Sequence, residues 1–185
     1  MKFLYTAVQA FGQDYDEDGL SWVRYCNWKG HRTEVVTLDG WLNKSLIEFP
    51  GNWDYVYFSD QGPISYFTNL DYVVQQVKGK DRFNLLTIAI EPDQDCKDIA
   101  VDGFEFVGYD LMDQPYFDIS SLTNCDGFND PILPTDSNQF GLIDDFKRAY
   151  ELKKRLLETN PDHPHANTAV VAVWRHKTIG RQKEQ

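Results

Sequence analysis

Four groups of residues have types and spacing suited to chemistry. The first is Asp14-Tyr15-Asp16-Glu17-Asp18-Gly19, which matches the opening of a calcium loop, D-x-D-x-D-G. Alternate carboxylates offer a hard cation its oxygen ligands, and the glycine permits the sharp turn. Asp14, Asp16 and Asp18 are therefore candidate Ca²⁺ ligands. The match ends there: the twelfth loop position is Tyr25, where an EF-hand carries a bidentate glutamate, and the eighth is Ser21, where an apolar residue is usual. The competing reading is an acidic loop that leads into a helix N-terminus, where carboxylates are favoured anyway.

The second group, Glu91 to Asp98 (EPDQDCKD), follows the apolar run 83–90. Carboxylates at the end of a central strand can ligate a metal or serve as general acids and bases. Asp93 and Asp95, combined with Asp14, Asp16 and Asp18, would make a metal-dependent hydrolase. No His or Lys stands at a spacing that completes a phosphoryl-transfer site, and a solvated turn explains the same residues. The third group is His163-Pro164-His165 with His176. Two histidines at that spacing can bind a metal, but no cysteine or carboxylate joins them in a zinc pattern. The fourth is Ser120 to Gly127 (SSLTNCDG). A nucleophilic Cys125 would need a histidine base and a lowered thiol pKa. Asn124 and Asp126-Gly127 are explained by turn chemistry. No G-x-S-x-G, phosphate-binding loop or G-x-G-x-x-G is present, so no catalytic residue is assigned and no enzyme activity is expected. No cofactor is expected either, beyond Ca²⁺ at the first loop.

Charge is more informative. From Glu91 to Asp136 the chain carries twelve acidic residues and a single basic one, Lys97, giving a net charge of −11, which equals that of the whole chain. Concentrated like charge repels itself and weakens a compact state, a cost that is understandable if the field acts on something outside. A pI near 4.7 argues against nonspecific nucleic-acid binding and against an anionic membrane surface. A basic protein is the expected partner. Asp93, Asp95, Asp98, Asp102, Asp110, Asp113 and Asp118 would steer and pair with its Lys and Arg residues, and Tyr116 and Phe128 would be apolar anchors. A plainer reading exists as well: residues 146–185 carry a net charge of +5 and can neutralise part of the acidic segment by packing beside it.

These residues need a scaffold, and the elements that supply one are legible. Strands are expected at Lys2–Phe11, Thr33–Leu38, Asp54–Ser59, Phe83–Ile90, Phe104–Leu111 and Thr168–Trp174, from their β-branched and aromatic content. Helices are expected at Leu20–Lys29, Trp41–Phe49, Asn69–Lys78 and Asp144–Thr159. In the last, Phe146, Ala149, Tyr150, Leu156 and Leu157 form the apolar side. Gln114–Phe140 has no clear period, and a stretch that long without regular structure is usually functional or mobile. The expected fold is α+β: a single domain over residues 1–178 with one mixed sheet of about six strands and helices packed on it, then a polar tail over 179–185. Three widely spaced cysteines suit reduced thiols in a cytoplasmic protein. The opening MKFLYTAVQAF reads as a strand rather than a signal segment, and no run approaches a membrane span.

The acidic, turn-rich stretch GYDLMDQPYFDISSLTNCDGFND (108–130) and the closing HANTAVVAVWR (165–175) resemble bacterial toxin-immunity proteins in style. The resemblance implies an inhibitor that neutralises a basic partner such as a toxin nuclease. The alternatives are the metal-dependent hydrolase or calcium-binding protein described above, and a structural domain whose acidity serves solubility.

Overall fold

The computed structural model describes residues 1–9, 25, 27–30, 35–40, 42–47, 53–58, 64–114, 117–123 and 131–180. Six strands form one sheet: β1 (Leu4–Gln9), β2 (Val56–Phe58), β3 (Tyr66–Phe67), β4 (Phe83–Ile90), β5 (Phe104–Asp113) and β6 (Thr168–His176). Their spatial order is β2-β3-β1-β4-β6-β5. The α+β class and the six-stranded sheet are as the sequence leads one to expect. Every described pairing is antiparallel, so the sheet is more regular than the mixed one expected.

β4 and β6 are buried almost throughout, which explains their near-continuous apolar runs. A central strand covered on both faces shows no alternation. β5 carries a register shift between Phe106 and Gly108. Gly108 adopts φ +138, and a Cβ there would lie 2.7 Å from the Leu142 Cβ, so glycine lets the 138–143 loop close onto the strand edge.

Among the described residues, the helices α1 (Leu70–Gln76) and α2 (Phe146–Thr159) pack on the sheet. Asn69 caps α1 by accepting from the Tyr72 backbone N–H at 2.9 Å, and Asp145 caps α2 by accepting from Arg148 at 2.7 Å. α2 buries Ala149, Leu152 and Leu156. Leu157, expected on that face, is 47% exposed. Residues 25 and 27–29 are also helical, and Gly30 follows at φ +89, as expected of the helix ending near Lys29.

Two expected elements do not form. Residues 35–38 are buried and irregular instead of a strand. Val36 donates to the Phe140 carbonyl at 2.9 Å, and Leu38 donates to a carboxylate, Asp110, at 2.7 Å. Their N–H groups are satisfied without a ladder, so apolar content did not dictate a strand. Residues 42–47 make one turn held by Asp39 and then bridge β1 at Val8 through Ser45. Pairing with the β1 edge replaces the helix expected over Trp41–Phe49. Ile179 and Gly180, expected in a free tail, dock instead: Gly180 accepts from the Phe83 N–H at 3.1 Å, and Ile179 packs on the core. No described helix is long and apolar enough to cross a membrane.

Candidate functional site

β4 and β5 run the same way with β6 between them, so residues 91–103 must cross over β6 on one face of the sheet. The crossover carries Asp93, Asp95, Asp98 and Asp102, and all four are exposed. It is pinned from below. The Trp174 indole N–H donates to the Ile99 carbonyl at 3.2 Å, and the Tyr109 hydroxyl donates to Asp95 at 2.7 Å while accepting the Cys96 N–H at 2.6 Å. The Tyr150 hydroxyl of α2 donates to the Pro92 carbonyl at 2.7 Å. The Tyr109 hydrogen bond, chiefly, holds the Asp95 carboxyl below the usual range, while burial pushes the Tyr109 phenol far up. Cys96 is buried and free, and burial raises its thiol pKa, which disfavours the thiolate.

At the start of the crossover Glu91 sits at φ +48, a conformation rare outside glycine. Its carboxylate accepts from the Val170 N–H at 2.8 Å and from Lys153 Nζ at 2.6 Å, while its own N–H donates to the Val170 carbonyl at 2.8 Å. The side chain thus takes the place of a backbone carbonyl at the end of the ladder.

Basic residues of the last forty neutralise part of the acidic segment, as the plainer reading expects. Arg148 pairs with Asp136 at 2.7 Å, Lys153 with Glu91 at 2.6 Å and Arg175 with Glu105 at 2.9 Å. Among the described residues no ion pair forms at Asp93, Asp98 or Asp102. Among the described residues these three and Asp95 are exposed carboxylates of the acidic segment that face outward.

Asp110 and Asp113, expected on the partner surface, are 0% and 1% exposed. They are interior staples. Asp110 Oδ2 accepts from the Leu38 N–H, and Oδ1 accepts from the Leu111 N–H at 2.8 Å and from the Ser120 hydroxyl. Burial outweighs these bonds and pushes its carboxyl up to about 6. Asp113 Oδ1 accepts from the Asp118 and Ile119 N–H groups at 3.0 Å, and Oδ2 lies 3.1 Å from His165 Nδ1. Asp118 is half-buried, and burial followed by the nearby Asp113 raises its pKa. Asp39 completes the set: Oδ2 accepts from the Ser120 N–H at 3.0 Å and the Thr123 hydroxyl at 2.7 Å. Burial, and then Asp110, Asp113 and Asp118, push the Tyr66 phenol well up. Together these residues clamp the 117–123 segment against the sheet. In the sequence Asp39, followed by Gly40, carries only a turn signal.

Tyr116, Phe128 and the candidate calcium ligands Asp14, Asp16 and Asp18 lie outside the described residues. Among the described residues no group of three or more His, Cys, Asp or Glu side chains is placed to hold a metal ion. His163 and His165 have ring centroids 5.5 Å apart, and His165 is engaged with Asp113. His176 accepts the Thr178 and Ile179 N–H groups on Nδ1, at 3.2 and 3.0 Å, and burial lowers its pKa. Comparison with protein-family models, with curated proteins and with solved structures finds no match.

Proposed function

We propose that this chain is an acidic protein-binding module that docks a basic partner on the 91–103 crossover, and that it acts as an inhibitor of the immunity type, neutralising a partner such as a toxin nuclease. The observation that carries the reading is the exposure of Asp93, Asp95, Asp98 and Asp102 on one crossover anchored by Tyr109, Trp174 and Tyr150. Anchoring matters energetically. A pre-ordered charged strip loses little conformational entropy on docking, and its field accelerates encounter with opposite charge. The surface is narrower than the acidic composition suggests, because Asp110 and Asp113 serve the interior and Glu91, Glu105 and Asp136 are already paired.

The test is capture from the native host with the wild type and with an Asp93→Asn/Asp98→Asn/Asp102→Asn variant. These side chains are exposed, so the variant should fold. A basic protein retained near stoichiometrically by the wild type and released by the variant is the expected result. A partner held equally by both would sink the reading.

A further inference from the structure

Beside the crossover lies a cleft of about 370 Å³ lined in part by Phe106, Phe140, Asn138, Asp144 and Lys97. Its wall is built rather than incidental. Asn138 uses both ends of its amide: Nδ2 donates to the Val107 carbonyl at 2.9 Å and to Asp144 Oδ1 at 2.6 Å, and Oδ1 accepts from the Phe140 and Leu142 N–H groups at 2.8 and 3.2 Å. Phe106 is held edge-on to Tyr109 and Trp174, with ring centroids 5.1 and 5.5 Å away. Asp144 is exposed and makes no ion pair among the described residues.

Resting on the docking reading above, we propose that this cleft seats an arginine side chain of the basic partner, its stem against Phe106 and Phe140 and its guanidinium on Asp144. Arginine suits the site because its planar cation stacks on aromatic rings and pairs directionally with a carboxylate. The fold already uses this combination once: Arg175, itself buried, lies 4.6 Å from the Phe140 ring centroid while pairing with Glu105. Lys97 at the Phe106 cleft opposes a guest cation and so sets the direction of a second test.

The probe is N-acetyl-argininamide, titrated into protein carrying ring-labelled phenylalanine and read by NMR, with N-acetyl-norleucinamide as the uncharged control. The Phe106 and Phe140 rings should shift saturably with the arginine probe alone. Asp144→Asn, which keeps the acceptor for Asn138, should weaken binding by up to about fivefold, and Lys97→Gln should strengthen it by about twofold, as exposed charge pairs do. Equal shifts with norleucinamide, no ring shift, or indifference to Asp144→Asn would each overturn the proposal. Asp93, Asp98 and Asp102 are not among the described residues that line this cleft, so the two claims fail separately. Partner release by the triple variant without ring shifts removes the anchor and leaves the docking strip. Partner retention by the triple variant removes the docking reading whatever the rings do.

Discussion

Asp110 should make this protein more stable as the medium is acidified from pH 7 toward pH 4, a direction opposite to ordinary acid denaturation. Its carboxyl is fully buried and its pKa is raised from 3.8 to about 6. The folded state therefore binds more protons than the unfolded state between those values. Burying the carboxylate in charged form costs stability above pH 6, and that cost falls away as pH drops through the window. Roughly two pKa units at about 1.4 kcal/mol each make the change about 3 kcal/mol. His176 acts in the opposite sense: its folded pKa is lowered, so it contributes stability that is lost as pH falls below its ordinary value of 6.5. A comparison of wild type with Asp110→Asn cancels His176 and isolates Asp110. The asparagine would set an amide donor against the Leu38 or Leu111 N–H, whereas a protonated aspartic acid can donate to the Ser120 hydroxyl and keep both acceptors. Urea unfolding followed by tryptophan fluorescence at several pH values gives the difference directly. Wild-type stability minus variant stability should shrink by about 3 kcal/mol between pH 4 and pH 7. A difference that stays flat across that range would refute the reasoning.

Three further outcomes are expected. Leu152→Ala should cost about 2–5 kcal/mol because Leu152 is fully buried on α2, while Leu157→Ala, at a site 47% exposed, should cost within about 0.5 kcal/mol, both read by urea unfolding. Asp39→Ala should destabilise by about 2–3 kcal/mol, since it strips acceptors from the Ser120 N–H and the Thr123 hydroxyl, and hydrogen exchange should show the loss of protection centred on 120–123. Protonating His176 removes the acceptor of the Thr178 and Ile179 N–H groups, so their exchange protection should fall as pH drops below 6.5, and His176→Ala should show the same loss at neutral pH.

The strands Phe83–Ile90 and Thr168–Trp174 and the long helix were legible because burial on both faces and a 3.6-residue period leave a signal in one sequence. Residues 35–38 were not, because the partners that satisfy the Val36 and Leu38 N–H groups, the Phe140 carbonyl and the Asp110 carboxylate, are distant in sequence and meet them only on folding. The acidic residues were read as one charged set, although FEFVGYDLMD already held a clue. A carboxylate embedded in an apolar run is more often paired inside than displayed, and Asp110 and Asp113 obey that rule. Asp93, Asp95, Asp98 and Asp102, in a polar turn-rich stretch with no apolar run around them, are exposed, whereas Asp39, Ser120 and Thr123 were hidden because turn-forming residues and buried staples share the same residue types.

The most direct test of the docking claim is the association rate of the captured partner, measured against ionic strength for the wild type and for Asp93→Asn/Asp98→Asn/Asp102→Asn. Exposed charges act through long-range steering that salt screens. The account predicts a wild-type rate that falls steeply toward about 0.5 M salt, and a variant rate that is low and nearly flat. Coinciding rates for the two proteins at low salt would contradict it.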